Sequence, residues 1–310
     1  MPKLVTDRVV LHYQQLGNHP GRFPDLVLIH GLGANLAFWY LGIAAKLAAN
    51  YRVLVYDLRG HGNSSMPPAG YTLPDMAQDL QHLLQHLGIR RAHLVGHSFG
   101  ARVALCYTML HGHRVETLTL ADAQFTCLQP RICLKDWPYW KEWQQQLRRQ
   151  GVVNLPDDSE IIDFPLLNHL NQVATTADPH APSPAQRPSL RQRGMGRKGT
   201  ANWERLLSQT TARHELEDQL PITVEGLQRL TLPLLAMFGE YSHCLPSCRE
   251  LKQLLPHSEV AIIPEVGHFH PALKPDHFLH HIEQFLTHQD VHLGSLLSAS
   301  VPTMKSKIEP

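Results

Sequence analysis

The chain has almost no net charge, few cysteines, no long apolar run and no apolar stretch at its start. Its 28 lysines and arginines nearly cancel 27 acidic residues over 310 positions, leaving a formal net charge of +1. So weak a field draws no polyanion, so nucleic acid is not an expected partner. No apolar run approaches the roughly 18–20 residues that cross a bilayer. Met1-Pro-Lys-Leu-Val-Thr-Asp-Arg8 lacks the apolar centre of a signal peptide. We therefore expect a cytoplasmic protein with no membrane span. Five cysteines (Cys106, Cys127, Cys133, Cys244, Cys248) are an odd set that suits free thiols better than a disulfide framework. Cys244 and Cys248, with His243 adjacent, lack the second ligand pair of a zinc site. Many of the 22 histidines, among them His82, His86, His277, His280 and His281, fall at helical spacing and read as solvated surface. Neither a metal nor a cofactor is expected.

With 43% hydrophobic residues the chain can bury a large core. Strand and helix patterns alternate from the start. Val9–Gln15, Leu26–His30, Arg52–Asp57, Ala92–Val95 and Glu116–Asp122 read as strands. The continuous apolar runs among them suit strands covered on both faces of a parallel sheet. Between them Phe38–Asn50 reads as helical. Leu73, Met76, Ala77, Leu80, Leu83, Leu84 and Leu87 mark one face of a helix closed by Gly88. The alternation resumes with strand 232–238, helix 248–255, strand 260–263 and helix 277–287. Repeated βα units imply a mostly parallel, doubly wound sheet with helices on both faces.

Residues 124–230 break the pattern. They are richer in Trp, Gln, Pro and Arg, with weaker helical stretches near 136–150, 158–172 and 201–217. Residues 174–200 are Pro-, Gly- and Arg-rich and read as a mobile loop. The expected organisation is a core of 1–123 and 231–288, a helical cap of 124–230, and a frayed tail of 289–310.

Gly96-His97-Ser98-Phe99-Gly100 lies between the strand 92–95 and a helical run from Arg102 to Leu110. Gly-x-Ser-x-Gly at a strand-to-helix turn is a nucleophile elbow, which holds the serine strained and exposed. Three further motifs stand at strand ends: His30-Gly31-Leu32-Gly33, Asp57-Leu-Arg-Gly-His-Gly-Asn-Ser64 and Gly267-His268. In this order the four motifs resemble the α/β-hydrolase family over 1–123 and 231–288. Ligands in such sheets bind beyond the carboxyl ends of the strands, where all four motifs sit.

The resemblance implies Ser98 as nucleophile and His268 as its base. His268 is favoured over His270 because it directly follows Gly267. His97 reads as a structural or pocket-lining residue, and Asp57 as part of a structural turn. The family's usual acid, Gly-x-x-Asp after the seventh strand, is missing: the stretch reads Gly239-Glu-Tyr-Ser242. Asp122, closing the sixth strand, is the first substitute, and Glu240 the second. The amides of Leu32 and Phe99 are the implied oxyanion donors. Trp137, Trp140, Trp143 and Trp203 either line an apolar pocket or form the cap's own core. Arg187, Arg191, Arg193, Arg197 and Lys198, with no acid across 179–203, read as a solvated loop or as a dock for an anionic acyl carrier.

The expected activity is hydrolysis of a mainly apolar carboxylic ester through an acyl-enzyme. A thioesterase, a carbon–carbon bond hydrolase and a receptor with little turnover are the alternatives. Ser98 argues against the dehalogenases and epoxide hydrolases of this fold, which use an aspartate nucleophile.

Overall fold

The computed structural model describes residues 2–17, 24–149, 151–163, 166 and 197–299. Eight strands form one sheet: β1 (Lys3–Val5), β2 (Val10–Leu16), β3 (Asp25–Ile29), β4 (Val53–Tyr56), β5 (Ala92–His97), β6 (Val115–Ala121), β7 (Leu234–Gly239) and β8 (Glu259–Ile263). Their order is β1-β2-β4-β3-β5-β6-β7-β8. β1 and β2 pair antiparallel at one edge, β2 joins β4 antiparallel, and every later pairing is parallel. The mostly parallel, doubly wound sheet expected from the alternation is the one the chain forms. The short edge strand β1 has too few residues to show periodicity.

The described helices are α1 (Leu73–His86), α2 (Phe99–His111), α3 (Trp140–Arg149), α4 (Arg197–Gln209), α5 (Ala212–Glu215), α6 (Val224–Gln228), α7 (Leu245–Leu254), α8 (His270–Leu273) and α9 (Pro275–Ala299). A helical stretch over Ala37–Trp39 and Ala45–Leu47 holds a π turn, Tyr40–Ala44. No described helix is long and apolar enough to cross a membrane.

The period-two alternation of strands divides the core. Val27, Ile29, Leu54, Tyr56, Leu118, Leu120, Ala236 and Phe238 face a cluster with residues of α1, α2 and α7. Leu26, Leu28, Val53, Val55, Ala121, Leu235 and Met237 face the other, with Trp39, Ile43, Leu47, Phe278, Ile282 and Leu286. Both faces of the central strands are therefore dry, so their sequences run as unbroken apolar stretches.

Between β6 and β7 the chain leaves the sheet. Leu134, Trp140, Leu147, Val152, Ile162 and Leu166 form a small separate cluster there. The helix expected over 158–172 does not begin at 158. Leu134 N–H donates to Glu160 O at 2.9 Å and Cys133 bridges Ile161, so this stretch pairs in extended form. Most of 164–172 lies outside the described residues. The helix expected over 201–217 is two, α4 and α5. Thr210 Oγ1 donates to Leu206 O at 2.6 Å and accepts from Ala212 N at 3.1 Å, which diverts the backbone ladder at that point. Glu215 Oε2 accepts from the amides of Gly70 and Tyr71, at 3.1 and 2.6 Å, and clamps this excursion onto the segment before α1.

The helix expected to end at 287 continues to Ala299, through the start of the supposedly frayed tail. Asp290 explains part of this. It is buried, and its carboxylate accepts from the Tyr51 hydroxyl at 2.6 Å.

Phe278 is fully buried between α9 and Trp39. Phe278→Ala should cost about 3–5 kcal/mol of stability. In urea unfolding, the midpoint should fall while the slope stays unchanged.

Candidate active site

After β3 the chain places β4 on one side and β5 on the other, so the strand order reverses between β3 and β5. In a doubly wound sheet the helices diverge at such a point and open a crevice at the strand carboxyl ends. Gly31 follows β3 there and Ser98 follows β5.

Ser98 has φ 55° and ψ −120°, a conformation that an L-residue enters only under constraint, at a cost of order 1–3 kcal/mol. The constraint is visible at the flanking glycines. A Cβ on Gly96 would sit 2.3 Å from Gly100 O, and one on Gly100 would sit 2.3 Å from Ile29 O. Strand, turn and helix are pressed together with no room for a side chain. Ser98 N–H donates to Ala121 O at 2.9 Å, anchoring the turn to β6. Gly31 approaches from β3: a Cβ there would lie 2.9 Å from Ser98 Cβ and 3.4 Å from its Oγ.

His268, in the loop after β8, brings Nε2 to 3.0 Å from Ser98 Oγ and Nδ1 to 2.8 Å from Asp122 Oδ1. With Nδ1–H donating to the carboxylate, Nε2 is left as acceptor for the serine proton. Asp122 is fully buried. Its Oδ2 accepts from Gly239 N–H at 2.8 Å, and its Oδ1 also accepts from the Ser242 hydroxyl. Burial alone would raise its pKa, but hydrogen bonds and charge from His268, the charge of His270 and the Gly239 amide hold it far below the usual carboxylate range. Ser242, in the place of the family's usual acid, thus donates to the Asp122 carboxylate.

Of the two candidate carboxylates, only Asp122 meets His268. Glu240 reaches the Glu265 amide instead, at 2.8 Å on an exposed edge. His270 is buried beneath, with Nε2 3.2 Å from Met237 O and 3.9 Å from Asp122 Oδ2. Asp57 holds a turn together: it contacts His12 Nδ1 at 2.7 Å and accepts from the Leu36 and Asn63 amides. Of the two readings of His97, the structural one fits its surroundings. It is buried, stacks on Phe38, and contacts His268 O through Nε2 at 2.9 Å, so it braces the histidine loop from below. Of the two readings of Trp140, the small-core one fits. It is buried in the small cluster of the excursion and donates Nε1–H to Asp158 at 2.7 Å. Trp143 packs edge-on against it. Trp137 is half-buried, edge-on to His243, which in turn packs 5.3 Å from the His268 ring. Arg187, Arg191 and Arg193 lie outside the described residues.

A model of the alpha/beta hydrolase fold matches residues 24–275. The chain belongs to the α/β-hydrolase fold family. Among curated relatives, a protein of Stutzerimonas stutzeri named RutD, a provisional carbamate hydrolase, is 41% identical over 114 residues, 36% of this chain and 43% of that one. The chain thus spans under half the length of that relative. The pimeloyl-[acyl-carrier protein] methyl ester esterase of Aeromonas hydrophila is 28% identical over 285 residues, 86% of this chain and 96% of that one. Among solved structures, the enol-lactonase of Burkholderia xenovorans superposes with TM-score 0.62 at 19% identity, covering 92% of this chain and all of that one, a likeness of fold.

In this α/β-hydrolase a cavity of about 580 Å³ opens beside Gly33, between the loop after β3, the loop after β4 and α4. His12, His61, Asn202, Trp203 and Leu206 are among its lining. Sequence reasoning missed this cavity, because its walls come from segments far apart in the chain. His12 and His61 are buried, and each turns Nδ1 to a partner, Asp57 and Arg59 O. Their Nε2 atoms have no partner among the described residues.

Because the folded protein keeps Asp122 ionised below the exposed carboxylate range, its charge contributes stability that is complete above about pH 4 and lost as pH falls beneath that value. Urea stability measured from pH 5 down to pH 3 should therefore fall more steeply in the wild type than in Asp122→Asn.

Proposed function

We propose that the protein is a serine hydrolase that cleaves a carboxylic ester through an acyl-enzyme. The observation that carries this reading is the unbroken hydrogen-bonded chain Ser98–His268–Asp122 beneath a strained, half-exposed serine. In this reading Ser98 Oγ attacks the carbonyl carbon while its proton passes to His268 Nε2. Asp122 keeps the ring in the correct tautomer and steadies the imidazolium, without taking the proton itself. The carbonyl oxygen, now negative, accepts from the amides of Phe99 and Leu32. Phe99 opens α2, so its N–H has no acceptor within the helix. His268 then returns the proton to the departing alkoxide, and water repeats the sequence to free the acid.

The named ester activity of the Aeromonas relative supports an ester. The described residues between β6 and β7 serve as the cap over the crevice, with Trp137 at its inner edge beside His243. The cavity next to Gly33 takes a polar part of the substrate, since Gln14, Asn35, Asn63 and Asn202 are among its lining. The substrate is therefore less uniformly apolar than the sequence suggests. Five unpaired cysteines agree with a reducing compartment such as the cytoplasm. The carrier-docking alternative rests on a basic segment that falls mainly outside the described residues.

A fluorophosphonate should label Ser98 alone, and Ser98→Ala should abolish both label and ester turnover. Asp122→Asn should lower kcat by about 10⁴, whereas Glu240→Gln should cost tenfold or less. Equal losses from the two carboxylate changes, or a label that survives Ser98→Ala, would overturn the assignment. For the cavity, Asn63→Leu should raise KM for esters of hydroxylated alcohols and leave p-nitrophenyl acetate unchanged. Equal effects on both would remove that subsite.

A further inference from the structure

The loop after β7 brings two further chemical groups to His268. Cys244 Sγ lies 3.4 Å from His243 Nε2 and 3.9 Å from His268 Nδ1. One ligand atom from each of the three residues lies within 4.8 Å of the others. By local spacing, His243 and Cys244 lack the ligands of a metal site, and Cys248 does not supply one: among the described residues the ligand atoms that gather with theirs are those of His268. The fold supplies the missing imidazole from another strand end. In a tetrahedral zinc site, with Zn–S about 2.3 Å and Zn–N about 2.0–2.1 Å, neighbouring ligand atoms stand about 3.3–3.6 Å apart. The two sulfur–nitrogen separations, 3.4 and 3.9 Å, are within a few tenths of an ångström of that range, and the two imidazole nitrogens stand no more than 4.8 Å apart. One thiolate and two imidazoles are a donor set that favours Zn²⁺ over hard cations such as Mg²⁺ or Ca²⁺.

We propose that His243, Cys244 and His268 form an inhibitory site for a thiophilic divalent cation such as Zn²⁺. Cys244 Sγ, a nitrogen of His243 and Nδ1 of His268 bind the ion, and a water completes the tetrahedron. The Cys244 S–H proton leaves to solvent. The proton on His268 Nδ1 gives way to the metal, and a proton on Nε2 takes its place in the neutral ring. Nε2, which must accept from Ser98, is then a donor, so the serine has lost its base. The bond from His268 to Asp122 is broken in the same event. The silencing rests on the hydrolase reading above; the binding itself does not.

The full-length protein, stripped of metal with a chelator, is titrated with Cd²⁺ and separately with Zn²⁺. Cd²⁺ should produce a thiolate-to-metal charge-transfer band in the ultraviolet that saturates at one ion per chain. Cys244→Ser should lose this band and Cys248→Ser should keep it, while His243→Gln should raise the half-saturating concentration at least tenfold. Zn²⁺ should slow fluorophosphonate labelling of Ser98 at least tenfold in the wild type and not in Cys244→Ser. Absence of the band in the wild type, or its persistence in Cys244→Ser, would overturn the site. A band accompanied by unchanged labelling would overturn its inhibitory role. Failure of the metal-free protein to label at all would count against the Ser98 chemistry alone, because the charge-transfer signal does not depend on it.

Discussion

A single buried carboxylate ties the catalytic end of the sheet together. Asp122 has no solvent to share its charge, so four groups from two other segments must hold it: His268 and His270 after β8, and Gly239 N–H and the Ser242 hydroxyl at the end of β7. A buried ion with such partners is stable only if none moves far, because loss of one leaves charge uncompensated at low dielectric. The loops after β6, β7 and β8 are thereby fixed relative to one another. The proposed base is positioned as one consequence of that requirement.

The second constraint is steric. Strand, turn and helix around Ser98 meet so closely that only glycine fits at positions 96 and 100, and Gly31 lets the loop after β3 come against the serine itself. Backbone strain at Ser98 is sustained by the buried strands on either side, and it leaves the hydroxyl standing at the crevice. Close packing thus brings the strand-end motifs together in one place, while the buried carboxylate sets their angles. Below them His97 fills the space between Phe38 and the His268 loop with a neutral ring, its pKa lowered by burial and by the neighbouring His268.

Much of the sheet was legible because parallel strands covered on both faces leave unbroken apolar runs, and because α1 carries its apolar face at helical spacing, with Thr72 as cap and Gly88 beyond its end. The elements between β6 and β7 were less legible for a physical reason. Their small cluster buries fewer residues, so local hydroxyls such as Thr210 and pairings such as Leu134 with Glu160 decide where helices stop. The tryptophans there could not be divided from sequence, since an aromatic ring suits a small core as well as a pocket. Only the packing separates Trp140, enclosed in the excursion, from Trp203, which lines the cavity beside His61.

The residue order alone determined the class of fold, the strained serine and the histidine that follows Gly267, since each depends on patterns within a few consecutive positions. Two carboxylates remained equal in kind until the chain folded. Asp122 and Glu240 both follow strands, and which of them faces His268 depends on how β6, β7 and β8 align and on where Ser242 and Gly239 direct their donors. The same holds for His243 and Cys244, neighbours in sequence whose third companion arrives from β8. Contacts between distant segments depend on sheet register and loop path, and neither is written in any local stretch of the chain.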